Sequence, residues 1–175
     1  APGGWSQVAR KRGAAQVMAL DLLPIDPIPG VDFLQGDFND PDMPARLMAL
    51  MGGPPDLVLS DMAPNTTGHN ATDHLRIIAL AELALDFAVK VLAPGGGFVA
   101  KVFQGGSEKQ MLVPMKQDFA TVRHAKPPAS RSESTAGVES RSASGAVGSR
   151  KSDASAGPPS VSRRTAAKLA AQASS

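Results

Sequence analysis

The sequence predicts an α/β fold built on a parallel sheet, and three observations carry that prediction. Apolar runs of strand length alternate with helical stretches along residues 1–126. Three of the runs close on or just before a carboxylate, at Asp21, Asp37 and Asp61. The strongest helical pattern, over residues 73–92, is apolar around enough of its circumference to lie against a sheet.

The elements follow in order. A Gly-rich start leads into a short helix from Trp5 to Arg12. Gln16-Val17-Met18-Ala19-Leu20 reads as a strand ending on Asp21, and a Pro-rich turn leads to a second strand, Val31-Asp32-Phe33-Leu34, which ends near Gly36-Asp37. A helix from Pro44 to Met51 follows the Asp40-Pro41-Asp42 cap region. Asp56 to Asp61 is a third strand and Met62 to Thr72 a polar loop. The helix from Asp73 to Leu92 is stopped by Ala93-Pro94-Gly95. Phe98 to Phe103 is a fourth strand, Glu108 to Phe119 a helix and Ala120 to Arg123 a short strand.

Composition divides the 175 residues unevenly. After Lys126 there is no Phe, Trp, Ile or Met, and Leu169 is the only Leu, so the Ser-, Ala-, Gly-, Pro- and Arg-rich tail is expected to be disordered. Two regions are therefore expected: a core domain over residues 1–131 and a low-complexity tail over 132–175. Residues 1–126 carry net charge −2 and the remainder +4, so the chain's overall +2 belongs to the tail. A basic arm of that kind can touch RNA phosphates without sequence preference.

Cysteine is absent, which excludes disulfides and thiolate metal sites and suits a reducing cytosol. His69, His74 and His124 lack ligand spacing, so no metal is expected. No apolar run is long enough to span a membrane, and the first residues lack the features of a signal peptide. The start without Met suggests a chain cut from something longer.

Parallel α/β sheets bind ligands at the carboxyl ends of their strands, where Asp21, Asp37 and Asp61 are expected to converge. A turn or cap role explains any one of them alone, but three beside a Gly-rich first loop point to a nucleoside. The Gly3-Gly4 turn lets backbone approach a ligand and offers N–H groups to anionic atoms. Asp21 suits a ribose diol and Asp37 an adenine amino group. Lys101 stands in an apolar strand, where an ammonium is costly unless paired, and Asp61 on an adjacent parallel strand is its expected partner. An ordinary buried ion pair explains that spacing equally well.

Five segments in order carry a more specific likeness: Ala1-Pro2-Gly3-Gly4-Trp5-Ser6-Gln7, Asp21-Leu22-Leu23-Pro24, Gln35-Gly36-Asp37-Phe38, Ser60-Asp61-Met62-Ala63-Pro64-Asn65 and Lys101-Val102-Phe103-Gln104-Gly105. Together they resemble the FtsJ/RrmJ (RlmE) family of bacterial large-subunit ribosomal RNA 2′-O-methyltransferases, over residues 1 to about 131. The resemblance implies a Rossmann-like methyltransferase fold in the cytoplasm, S-adenosyl-L-methionine as donor, and a uridine ribose of large-subunit (23S) ribosomal RNA, or of the large ribosomal subunit, as acceptor for a monomeric enzyme. It further implies that Gly3 and Trp5 line the methionine side of the donor, Asp21 holds its ribose and Asp37 its adenine. Asp61 would lie near the sulfonium and Lys101 would be the catalytic base.

The pattern breaks at both ends. The family's Lys-Asp-Lys-Glu tetrad is represented by Asp61 and Lys101, and its first Lys would fall before Ala1. A neighbouring cation is what makes a Lys give up its proton near neutrality, whereas an acid opposes it. The tetrad's Glu would stand near Ala136, between Glu133 and Glu139, and neither is assigned the role. The first, central strand and the last strand of the sheet are expected to be missing, leaving the Gln16 and Asp56 strands without their common neighbour and the chain unstable or inactive. Two further readings remain. A nucleotide-binding oxidoreductase would share the strand-end acid but needs a G-x-G-x-x-G start, which is absent. A noncatalytic RNA-binding fragment would use the basic tail.

Overall fold

Gly3 sets the direction of the chain. Its φ of 73° is open to glycine and strained for other residues, and a side chain there would run into Ile28. From this turn α1 spans Gly4–Lys11, with Arg10 and Lys11 in its last turn, where positive charge complements the helix dipole. The Arg10 guanidinium then donates to the carbonyls of Ala14 and Ala15, fastening the helix end to the following turn. The computed structural model describes residues 3–62, 70–101, 107–125, 137–141 and 165–169.

The next elements are β1 (Gln16–Asp21), β2 (Val31–Gln35), α2 (Met43–Met51) and β3 (Leu57–Ser60). All of β1 beyond Gln16 is buried, which explains its continuous apolar run. Pro44 lies in the first turn of α2, where a missing N–H costs no helical bond, and Gly52 ends the helix at φ 68°. Met43, Leu47 and Met51, spaced at four residues, form its buried stripe. Each such side chain contributes about 1.5–3 kcal/mol of burial.

α3 (Asn70–Val91) begins three residues before the expected start at Asp73. It buries Ile78, Ala81, Ala84, Leu85, Ala88 and Val91 and leaves Leu75 and Leu83 on its solvent side. β4 (Gly97–Lys101), α4 (Ser107–Asp118) and β5 (Thr121–Ala125) match the expected order, with Val102 and Phe103 outside the described residues.

Two strands lie in the tail: β6 (Gly137–Arg141) and β7 (Thr165–Leu169). The sheet runs β2-β1-β7-β3-β4-β6-β5, parallel throughout except for β6, which is antiparallel to both neighbours. The parallel α/β class is as expected, but three expectations are corrected. The tail is not without secondary structure, because residues 137–141 and 165–169 are strands. The last-strand position is filled, by β6. The gap between β1 and β3 is filled as well: Val17, Met18 and Ala19 of β1 stand opposite Ala166, Ala167 and Lys168, and Leu57, Val58 and Leu59 of β3 oppose the same three residues from the other side.

The cause is backbone demand. Two buried parallel strands must satisfy their inner N–H and C=O groups, and a five-residue segment that begins Thr165-Ala166-Ala167 fits between them. Ala166 is buried with Ala9, Val17 and Leu59 on the α1 face. Ala167 and Leu169 are buried on the other face, in the larger cluster shared with α2, α3 and α4. Among the described residues no helix is long and apolar enough to cross a membrane.

Candidate functional site

Because β1, β2, β3, β4 and β7 run parallel, their carboxyl ends form one rim, and the predicted site residues fall along it. Asp21 is the last residue of β1 and is buried; Asp37 follows β2 by two residues and is exposed. Asp61 directly follows β3, and Lys101 is the last residue of β4. Asp21 and Asp61 are separated by the width of two strand spacings, about 10 Å, which suits the span of a nucleoside.

Local structure fixes each acid. Asp21 Oδ1 accepts from the Leu23 N–H at 3.2 Å, and the Asp21 carbonyl accepts from Gly36 N–H at 3.0 Å, which ties the ends of β1 and β2 together. The Gln35 amide donates to the Leu22 carbonyl at 3.1 Å beside them. Asp37 uses Oδ1 for a turn, accepting from the Asn39 backbone N–H at 2.9 Å and its side-chain amide at 2.8 Å. Part of the reason for an acid at this position is therefore structural.

The pairing expected from adjacent strands is present. Ser60 and Ala100 stand opposite each other in the β3–β4 ladder, so Asp61 and Lys101 emerge side by side, and Lys101 Nζ donates to Asp61 Oδ1 at 2.9 Å. The carboxylate is 14% exposed and the lysine 34%, so the pair is open to approach from the rim. On its other side, the Asp61 backbone N–H donates to the Leu169 carbonyl at 3.0 Å. That bond was not foreseen, since the composition of the tail gives no sign that Leu169 reaches the site.

Gly3 lies at the same rim, because α1 runs back from it toward the start of β1. Trp5 does not join the acids. Its side chain packs on the α1 face and, with Val8, Leu57, Leu59 and Val99, borders an apolar cavity of about 320 Å³. A larger cavity of about 420 Å³, lined by Asp56, Thr165, Arg12 and Gly95 among others, opens at the opposite ends of the strands and takes no part in the rim. Opposite Lys101 the antiparallel neighbour is Gly137, while Glu139 stands opposite Val99. Ala1, Pro2, residues 63–65 and 102–105 of the five sequence segments, and the expected Glu position near Ala136, lie outside the described residues.

Comparison with known proteins bears on this rim. The model of the FtsJ-like methyltransferases matches residues 1–136. Ribosomal RNA large subunit methyltransferase E of Granulibacter bethesdensis is 75% identical over 135 residues, covering 77% of this chain and 59% of that protein. The protein of the same name from Gluconobacter oxydans is 67% identical over 135 residues, covering 77% and 50%. This chain thus spans half to three-fifths of the length of these curated relatives. Among solved structures, a Plasmodium falciparum protein assigned as a ribosomal RNA methyltransferase superposes with a TM-score of 0.65 at 24% identity, over 81% of this chain and 80% of that one. That likeness is one of fold.

Proposed function

Since this chain belongs to the FtsJ-like methyltransferase family, we propose that its rim is the working site of an S-adenosylmethionine-dependent enzyme. The reaction is methylation of a ribose 2′-hydroxyl, on a uridine of large-subunit ribosomal RNA. The observation that carries this reading is the 2.9 Å pair between Lys101 Nζ and Asp61 Oδ1 at the ends of adjacent parallel strands, on the rim that also holds Asp21 and Asp37. The donor set suits the ligand. Acidic side chains can accept from a ribose diol and an adenine amino group, and the open start of α1 suits a carboxylate.

When bound, the donor would supply an activated methyl group, carried on a sulfonium, to the ribose 2′-hydroxyl. Asp21 would hold the ribose hydroxyls, and Asp37 would take the adenine amino group on the oxygen left by its turn. Gly3 brings backbone to the methionine end, and Trp5 covers the sheet beside it. Asp61 lies under the transfer site and orients Lys101. Lys101 would take the proton of the 2′-hydroxyl at Nζ. A positioned base contributes about 10²–10⁴-fold, and alignment of the reactants supplies much of the remainder.

The acting unit in this reading is a monomer, and the acceptor implies the cytoplasm as its compartment. Residues 1–131 form the methyltransferase part, with two strands contributed from 132–175. The test is transfer of a labelled methyl group by the 175-residue chain to protein-free 23S RNA and to large subunits. Donor-dependent label on a uridine ribose that Lys101→Ala abolishes supports the reading. Label on a base, or transfer unaffected by Lys101→Ala, contradicts it.

A further inference from the structure

We infer that Ser6 is a further donor-binding residue, whose hydroxyl hydrogen-bonds the methionyl carboxylate of bound donor; this rests on the methyltransferase reading above. Ser6 is wholly buried, and its Oγ has no hydrogen-bond partner. Buried hydroxyls in folded proteins nearly always have one, and an orphan points to a group that arrives later. The usual internal outlet for a helical serine, a bond to a carbonyl of the preceding turn, is not made here.

The position of the hydroxyl says what would satisfy it. Ser6 stands in the first turn of α1, which begins at Gly3 with no side-chain cap. The first bond of the helix is from Gln7 N–H to the Gly3 carbonyl at 3.0 Å, so the N–H groups of Gly4, Trp5 and Ser6 have no partner within the helix. Side chains on a helix lean toward its N-terminus, which directs the Ser6 hydroxyl to the same rim as those N–H groups. Gly4 and Gln7 are exposed, and Ser6 is the inward-facing residue of that turn. An anion seated on the open N–H groups is thus also within the direction of the hydroxyl, and the donor carries a carboxylate at the end opposite its adenine.

The test is calorimetric titration of the full chain and of Ser6→Ala with two ligands, S-adenosylhomocysteine and 5′-methylthioadenosine, which lacks the amino-acid portion, together with thermal melting of both proteins without ligand. Ser6→Ala is expected to bind S-adenosylhomocysteine about tenfold or more weakly, the loss of one bond to a charged group, and to bind 5′-methylthioadenosine as the parent does. Its ligand-free melting is unchanged or raised, because the variant removes an unsatisfied group. Equal affinity for S-adenosylhomocysteine in the two proteins overturns the Ser6 assignment alone. A lowered ligand-free melting point with both ligands weakened alike makes Ser6 structural and overturns it too. A parent chain that binds neither ligand overturns the donor site itself, and this inference with it.

Discussion

The Asp61 backbone N–H donates to the carbonyl of Leu169 at 3.0 Å, joining the acid of the rim to the final residue of β7. The side chain of Asp61 is at the same time the partner of Lys101. Strand β7 therefore fixes the position of the ion pair as well as filling the space between β1 and β3, and damage to β7 should reach the site.

Ala167 is the sharpest place to test that. It is 1% exposed and pairs with Met18 on one side and Val58 on the other. Ala167→Asp places an unpaired carboxylate in the core, at a cost of several kcal/mol. The variant should lose cooperative urea unfolding, followed by circular dichroism. A transition matching the parent would show that β7 does not hold the sheet together.

The opposite end of β7 is clamped by Asp56. Its backbone N–H donates to the Thr165 carbonyl at 2.9 Å, and its Oδ2 accepts from the Thr165 N–H at 2.8 Å. Asp56→Ala should lower unfolding free energy by about 1.5–3 kcal/mol, the range for a hydrogen bond to a charged group. Asp56→Asn keeps a neutral acceptor for the Thr165 N–H and should cost less than Asp56→Ala. Equal losses in the two variants, measured by chemical denaturation, would mean that the carboxylate does not secure the strand.

Lys101 should matter to rate more than to stability. As its pair is part-buried, Lys101→Met should cost about 1–3 kcal/mol of stability. It should lower methyl transfer by about 10²–10⁴-fold, with S-adenosylhomocysteine affinity held within roughly threefold. A comparable fall in affinity would move Lys101 from the chemistry to the donor pocket.

Asp21 is predicted to act on affinity. Asp21→Asn keeps the shape and an acceptor for the Leu23 N–H but removes the charge proposed to hold the ribose diol, so S-adenosylhomocysteine should bind about 10- to 100-fold more weakly. Unchanged affinity in a calorimetric titration would show that Asp21 does not hold the donor.

Much of this arrangement was legible in the residues. The apolar runs ending at Asp21 and Asp61 gave two parallel strands, and a lone Lys in the next apolar strand called for a nearby acid, which the ladder between Ser60 and Ala100 supplies. Ala93-Pro94-Gly95 marked the end of α3 because glycine accepts the φ of 81° found at Gly95. The strand Thr165–Leu169 was not legible. Two alanines and a lysine carry weak strand preference, and what makes this segment a strand is the pair of unsatisfied neighbours, a tertiary demand that local pattern does not register. Ser6 was hidden for a similar reason: a serine in a first turn looks like a cap, and only burial shows that it caps nothing.

If this rim, completed by β7, is a donor site, calorimetric titration of the 175-residue protein will show saturable binding of S-adenosylhomocysteine at one site per chain and, in a separate titration, none of NAD. Binding of NAD, or no binding of S-adenosylhomocysteine by a chain that melts cooperatively, would contradict it.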